Sequence, residues 1–201
     1  MKRILLLLLP AVAILFMALR PAGEPLPIGS AIPNPDTKMK DISGKEISFK
    51  DAMKKNGLLV MFSCNTCPVV HKYKSRTLEV CRYAAGKDIG VILLNPNEAS
   101  RGNGDSYEDM KEYARQESYD FSYAVDNNSV MADAFGATRT PEIFLFDSNR
   151  KLVYHGAIDD NSNSPDQVSR KHLVTAIDEM TGGKAVSVNK TRSVGCTIKR
   201  M

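Results

Sequence analysis

The sequence is poor in the residues that build metal sites and disulfide scaffolds: its 201 residues include three histidines, four cysteines and no tryptophan. Four cysteines in a chain of this length are too few to staple a small scaffold together. Cys64 and Cys67 form a single Cys-x-x-Cys pair, and no second pair completes the four ligands of a structural zinc site. No cysteine precedes Cys64, which excludes lipid attachment through an N-terminal cysteine.

An excess of charge is also missing from most of the chain. Residues 21–201 carry 24 basic and 23 acidic side chains, a net charge of +1. Nothing in this part resembles a basic stripe with interleaved aromatic residues, and nucleic-acid affinity depends mainly on neutralising phosphates. The composition therefore argues against a nucleic-acid partner.

Residues 1–22 have the pattern of an export signal or a short membrane anchor. Met1-Lys2-Arg3 is basic, and residues 4–19 are apolar. These 16 residues fall short of the about 20 that span a bilayer. A cut after Ala22 would place Arg20 where signal peptidases prefer a small residue, so cleavage and retention both stay open. The sequence predicts a periplasmic or other extracytoplasmic domain that contacts the membrane only through this segment, if the segment is not cleaved.

Residues 23–36 are rich in proline and predict an extended linker. Residues 37–201 then suit one domain with a sizeable core. In this domain, the apolar run 58–62 predicts a strand buried on both faces, and apolar spacing over residues 69–86 predicts a helix. Cys64 and Cys67 would lie at the corner between them.

This corner predicts thiol chemistry. The first turn of a helix has unpaired N–H groups and the positive end of the helix dipole, and both favour a thiolate, the form that attacks disulfides. Cys64 is expected to be exposed at the turn and to act as the nucleophile. Cys67, one turn further in, is expected to resolve the mixed disulfide. Pro68 fits the first helical turn, where its missing N–H costs nothing.

The remaining pattern predicts an α/β domain with a mixed sheet, helices on both faces and a hairpin at its entrance. Its predicted elements are a small hairpin within 38–49, a short helix or turn at 51–56, strands at 89–94, 121–125, 142–146 and 152–157, and helices at 106–117, 130–135 and 165–181. Ser164 is predicted to cap the last helix. Residues 184–201 show no clear period, and we find no internal repeat.

Early in the chain, Cys64-Asn65-Thr66-Cys67 lies between a predicted strand and a predicted helix, and later Arg139-Thr140-Pro141 precedes a predicted hairpin. In these two places the sequence resembles the thioredoxin-like superfamily. Within it, the stretches 140–147, 154–156, 159–161 and 195–199 are similar to a bacterial peroxiredoxin-like or thiol-disulfide isomerase-like subgroup, with a redoxin (alkyl hydroperoxide reductase/thiol-specific antioxidant-like) domain. The resemblance covers about residues 28–201.

The resemblance implies a thioredoxin-like fold in which Pro141 is cis and lies against the cysteine pair. It also implies that the backbone of Thr140 is free to pair with a substrate peptide. The activity implied is disulfide exchange with protein thiols or disulfides, together with a redox partner that donates or accepts electrons. No cofactor or metal is needed, because the electrons reside in the cysteines.

The sequence departs from thioredoxins at two positions beside the pair. Ser63 occupies the position of the tryptophan that precedes the cysteine pair in thioredoxins, and Leu58 occupies the position of their buried acid. The proton acceptor for Cys67 is therefore open, with His71 and Glu142 as candidates.

Two other functions stay open. Peroxiredoxins carry the pattern Pro-x-x-x-Thr-x-x-Cys. With that cysteine on Cys67, Val60 and Cys64 stand where proline and threonine are expected; neither position matches, so a thiol peroxidase is only the alternative. A copper or zinc carrier using Cys64, Cys67 and His71 is the second alternative.

The other two cysteines have simpler expectations. Cys81 falls on the apolar side of the helix and is expected in the core; along a continuous helix it lies roughly 21 Å from Cys67, too far to bridge. Cys196 is expected to be buried, to pair with Cys81, or to act as a distant resolving thiol. Asp159, Asp160 and Asn161 form a helix-entry loop of a kind that usually needs no ligand, and His155 is expected to be structural.

Overall fold

The computed structural model describes residues 23–201, so the predicted export or anchor segment at 1–22 lies outside the described residues. Within residues 23–201, no helix has both the length and the apolar character needed to cross a membrane.

The described residues form nine strands and six helices. The strands are β1 (Met39–Lys40), β2 (Glu46–Ile47), β3 (Leu58–Phe62), β4 (Gly90–Asn95), β5 (Ser122–Val125), β6 (Arg139–Thr140), β7 (Glu142–Phe146), β8 (Leu152–Gly156) and β9 (Cys196–Thr197). The helices are α1 (Phe49–Ala52), α2 (Pro68–Lys72), α3 (Lys74–Gly86), α4 (Tyr107–Gln116), α5 (Val130–Phe135) and α6 (His172–Thr181).

The central sheet has five strands in the order β5-β4-β3-β7-β8. β3 runs parallel to β4 and antiparallel to β7, so the strand that leads into the cysteines has a neighbour on each edge. All five of its residues are fully buried, as the unalternating apolar run predicts. The predicted mixed sheet and the hairpin β1–β2 at the domain entrance are both confirmed.

Side chains of each central strand alternate between two cores, one on each face of the sheet. Leu59 and Met61 enter a core that α3, α4 and α6 cover. Val60 and Phe62 enter the opposite core, which α1 and α5 cover. The predicted α/β arrangement with helices on both faces is therefore confirmed.

Residues 23–36 do not form a separate linker. Leu26 and Ile32 are buried in the core beneath α1 and α5. The Leu26 amide donates to the carbonyl of Phe135, and the Gly29 amide donates to the carbonyl of Leu152, both at 2.8 Å. The apolar residues between the prolines thus attach this segment to the domain, a correction to the predicted boundary.

Two predicted helices also differ. The helix expected over 69–86 is divided at Tyr73, whose hydroxyl donates to Asp159 across 2.9 Å. The closing helix begins at His172, not at the predicted Ser164 cap. Residues 165–167 form only a 3-10 turn, and Ser164 makes no capping hydrogen bond with its side chain.

Candidate redox site

Cys64 and Cys67 lie in the turn between the end of the buried strand β3 and the start of α2. Cys67 is the residue that precedes the helix, and Pro68 occupies its first turn, where no N–H is needed. Cys64 lies between the end of the strand and this helix start. The predicted strand-to-helix placement of the two cysteines is therefore observed.

The short strand β6 and the residue that follows it bring Thr140 and Pro141 to the same corner. The pairing of β7 with β3 places Glu142 opposite Phe62, at the end of the strand from which the cysteines follow. The Thr140–Pro141 peptide bond is cis, as the resemblance implies. The Cys64 Sγ and Thr140 Oγ1 atoms are 3.1 Å apart, and the Cys67 Sγ lies 3.3 Å from the carbonyl oxygen of Thr140. Both sulfurs of the pair thus meet at one threonine.

Cys67 forms a disulfide with Cys196, 129 residues further along the chain, and their Cα atoms are 5.9 Å apart. Cys196 lies in β9, which pairs antiparallel with β6 and sets Cys196 opposite Thr140. The backbone edge of Thr140, expected to be free for a substrate peptide, is therefore occupied by the chain's own C-terminal strand. Cys196 does not pair with Cys81, which is a free thiol buried in the core beneath α3.

The expectation that Cys64 is exposed is wrong. Cys64 is 1% exposed and Cys67 is 2% exposed, because both pack with Val70 in a small apolar cluster. Burial raises the pKa of the Cys64 thiol, and the nearby Asp105 carboxylate raises it further. The Thr140 side chain and the backbone amides of the turn oppose this rise but do not overcome it. Desolvation therefore outweighs the polar groups of the turn at Cys64.

Asp105 shapes the turn between the two cysteines. Its fully buried carboxylate accepts hydrogen bonds from the Asn65 amide at 2.7 Å and from the Thr66 hydroxyl at 2.8 Å. It also accepts from the side-chain amides of Asn95 and Asn97. The sequence analysis missed Asp105. A polar loop directly after the buried strand β4 was the available signal, since parallel strands end at the same edge of a sheet.

Neither candidate proton acceptor forms a hydrogen bond to a sulfur of the pair. The His71 ring nitrogen Nε2 bonds to the carbonyl of Asn65, and the ring stacks on Tyr113. Glu142 accepts from the Thr138 amide at 2.8 Å and lies 2.7 Å from the Nε2 atom of the buried His155. Both residues therefore hold the backbone around the site.

The metal-carrier alternative gains no support from the geometry. Among residues 23–201, no group of three or more His, Cys, Asp and Glu side chains is placed to hold a metal ion. Asp159, in the polar loop after β8, accepts instead from Tyr73 and Arg76.

Comparison with known proteins places the fold and the family. The sequence profile of the AhpC/TSA family matches residues 28–155. A hypothetical protein of Sinorhizobium meliloti is 28% identical, with a TM-score of 0.81 over 90% of this chain and 99% of its own. An uncharacterized conserved protein of Geobacillus kaustophilus has the same identity and TM-score over 87% of this chain and 93% of its own.

A more distant likeness concerns the fold alone. The thioredoxin domain of a thiol-disulfide oxidoreductase from Bacteroides vulgatus is 20% identical, with a TM-score of 0.53 over 65% of this chain and 88% of its own. No curated protein matches the sequence.

Proposed function

The chain belongs to the AhpC/TSA family, with a thioredoxin-like fold, and from that premise we propose that it is an extracytoplasmic thiol-disulfide oxidoreductase. Its redox pair is Cys64 and Cys67, and Thr140 and Pro141 position the reacting disulfide. Its substrates are protein thiols and disulfides, and a second redox protein supplies or removes the electrons.

One observation carries this proposal: the sulfurs of Cys64 and Cys67 both lie against Thr140, beside the cis peptide bond. Thiol-disulfide exchange needs the attacking and leaving sulfurs close together with a polar group to support the thiolate. The Thr140 hydroxyl supplies such a group to Cys64. The disulfide between Cys67 and Cys196 supports the view that Cys67 is a redox-active sulfur.

The test is reduction of insulin disulfides by the purified chain with dithiothreitol as electron source. We expect Cys67→Ser to abolish turnover, because every disulfide of the site includes Cys67, and Cys64→Ser to lose the Cys64–Cys67 disulfide that the oxidised wild-type chain can form. Cys67→Ser should also accumulate mixed disulfides with insulin that the wild type resolves. Cys81→Ala is the matched control, since Cys81 is a buried thiol in the separate core beneath α3. A wild-type rate in Cys67→Ser, or the absence of any Cys64–Cys67 disulfide from the oxidised wild-type chain, would refute the proposal.

Export rests on the basic and apolar pattern of residues 1–22. Fractionation of cells that produce the full chain should recover it outside the cytoplasm. Alkaline extraction then separates a cleaved, released chain from one that is retained in the membrane.

A thiol peroxidase is the second candidate, and the position of Cys67 directly before α2 favours it. The Cys67 thiolate would attack peroxide, releasing water after protonation and leaving a sulfenic acid; the Cys196 thiol would then condense with it, forming the observed disulfide and a second water. A fast peroxide-dependent phase in stopped-flow, lost in Cys67→Ser and kept in Cys64→Ser, would establish this chemistry. If the chain reduces insulin but does not react with peroxide, the thiol peroxidase is excluded.

A further inference from the structure

The redox pair of the proposed function is closed to a foreign protein. Cys64 and Cys67 are 1% and 2% exposed, and Val70 packs against both. Exchange requires a thiolate to approach the sulfur that it attacks, so access controls the rate. A partner disulfide cannot reach either cysteine in this arrangement.

Cys196 is the accessible member of the cluster. It is partly exposed, it is bonded to Cys67, and its neighbours Val194 and Thr197 are exposed. Val194 is 46% exposed. The one sulfur of the cluster in a partly exposed residue thus lies among exposed neighbours.

The segment that carries Cys196 is firmly held on the domain. Gly195 passes so close to β6 that a Cβ atom there would lie 2.2 Å from the carbonyl oxygen of Thr140. Beyond Cys196, Ile198 is buried in the core beneath α5, and its amide donates to the carbonyl of Thr138 at 3.0 Å. Before Cys196, the Thr191 amide donates to the carbonyl of His155 at 3.0 Å. These contacts therefore hold Cys196 next to Cys67, while its neighbours Val194 and Thr197 are exposed to solvent.

We infer that Cys196 is the cysteine that exchanges with the partner protein, and that Cys67 passes the disulfide between Cys196 on the outside and Cys64 on the inside. This inference rests on the proposed function and names the residue that meets its substrate.

The chemistry balances as three exchanges. The Cys196 thiolate attacks the partner disulfide, and one partner sulfur leaves as a thiolate. The Cys67 thiolate then attacks the Cys196 sulfur, forming Cys67–Cys196 and releasing the second partner thiolate; both leaving thiolates take up protons, and two electrons have passed to the partner. The Cys64 thiolate next attacks Cys67, forming Cys64–Cys67 and returning Cys196 as a thiol, with no net electron transfer. The same steps in reverse oxidise a partner dithiol.

The test locates the cysteine that takes the first mixed disulfide. Reduced Cys67→Ser, which cannot resolve an adduct through Cys67, is mixed with glutathione disulfide, quenched in acid and analysed by peptide mass spectrometry. We expect glutathione on Cys196 at least tenfold sooner than on Cys64. Reduced wild-type chain with limiting N-ethylmaleimide gives the same order without a substitution, and Cys81 is the internal control because it stays unlabelled while the chain is folded.

A third readout separates this inference from the proposed function. Cys196→Ser should reduce insulin at least tenfold more slowly than wild type, yet still form Cys64–Cys67 when oxidised by diamide. Adducts that arise first on Cys64, or a wild-type insulin rate in Cys196→Ser, overturn the inference and leave the proposed function standing. A wild-type chain without exchange activity overturns the proposed function itself.

Discussion

At the scale of single residues, Asp105 decides the shape of the redox turn. Its carboxylate is fully buried and accepts from one backbone amide, one hydroxyl and two side-chain amides, so all of its neighbours are donors. The same negative charge raises the pKa of Cys64. Asp105 therefore couples the conformation of the turn to the reactivity of the thiol beside it.

We expect Asp105→Asn to destabilise the fold by about 2–4 kcal/mol, because the new amide group would face donors and leave buried polar atoms unpaired. Urea unfolding measures this loss. Asp120→Asn is the control: Asp120 forms an exposed pair with Arg82, and its loss should cost less than about 1 kcal/mol. Equal stability of the two variants would contradict the role given to Asp105.

A second buried carboxylate predicts a pH effect on stability. Burial raises the pKa of Asp126 from 3.8 to about 6, although its oxygens accept the amides of Met131 and Ala132. Between pH 3.8 and about 6, the folded chain keeps a proton that the unfolded chain has released. The contribution of Asp126 to the free energy of unfolding should therefore fall as pH rises through this window, by about 3 kcal/mol, and then level off.

Urea titrations of wild type and Asp126→Asn at pH 4, 5, 6 and 7 give this contribution as a difference. The free energy of unfolding of wild type minus that of Asp126→Asn should fall with rising pH. A difference that stays constant across the series would show that Asp126 titrates normally in the fold.

At the scale of elements, the strand β9 and its partner β6 hold the site closed. Each strand has two residues, and the two strands are separated by more than 50 residues of sequence. No local hydrophobic pattern therefore predicts their pairing. The long apolar run of β3, the capping residues of α4 and the glycine that ends α5 were predictable because each is a local signal. The partner of Cys196 and the packing of residues 23–36 depend on contacts made only in the folded chain, and the sequence did not reveal them.

Gly195→Ala tests how closely β9 must lie on β6. Its Cβ would meet the Thr140 carbonyl, so β9 should shift and the fraction of chain with the Cys67–Cys196 disulfide should fall at equilibrium in a glutathione buffer. Gly86→Ala, at the end of α3 with nothing within 4 Å of its Cβ, is the matched control and should leave that fraction unchanged. An unchanged disulfide fraction in Gly195→Ala would show that the strand pairing does not support the bond.

At the scale of the whole molecule, charge is distributed unevenly around a nearly neutral domain. Residues 182–201 contain five basic side chains and no acidic ones. Arg139, which is exposed, donates to the carbonyl of Gly195 beside the disulfide. Arg139 thus places an exposed cation beside Cys196, which lies in a segment with a basic excess, and this favours anionic thiols and partners with acidic surfaces.

We expect 2-mercaptoethanesulfonate to reduce the Cys67–Cys196 disulfide about threefold or more faster than cysteamine at low ionic strength, with rates normalised to thiolate concentration. The ratio should approach one at high salt, because screening shortens the reach of the charges. Arg139→Gln should lower the ratio, whereas Arg115→Gln, which removes an exposed cation on α4, should not. If the ratio of the two reduction rates does not change with ionic strength, these charges do not steer thiols to the site.

We propose that the sulfurs of Cys64, Cys67 and Cys196 form a working redox centre, in which the bond to Cys196 is redox-active and not only structural. The most direct test equilibrates the wild-type chain in a glutathione series and identifies each disulfide by peptide mass spectrometry. We expect Cys67–Cys196 to form with a midpoint reduction potential between about −120 and −270 mV, the range of thioredoxin-like exchange proteins, while Cys81 stays a thiol. A midpoint below about −300 mV, typical of structural disulfides, or a disulfide that includes Cys81, would contradict it.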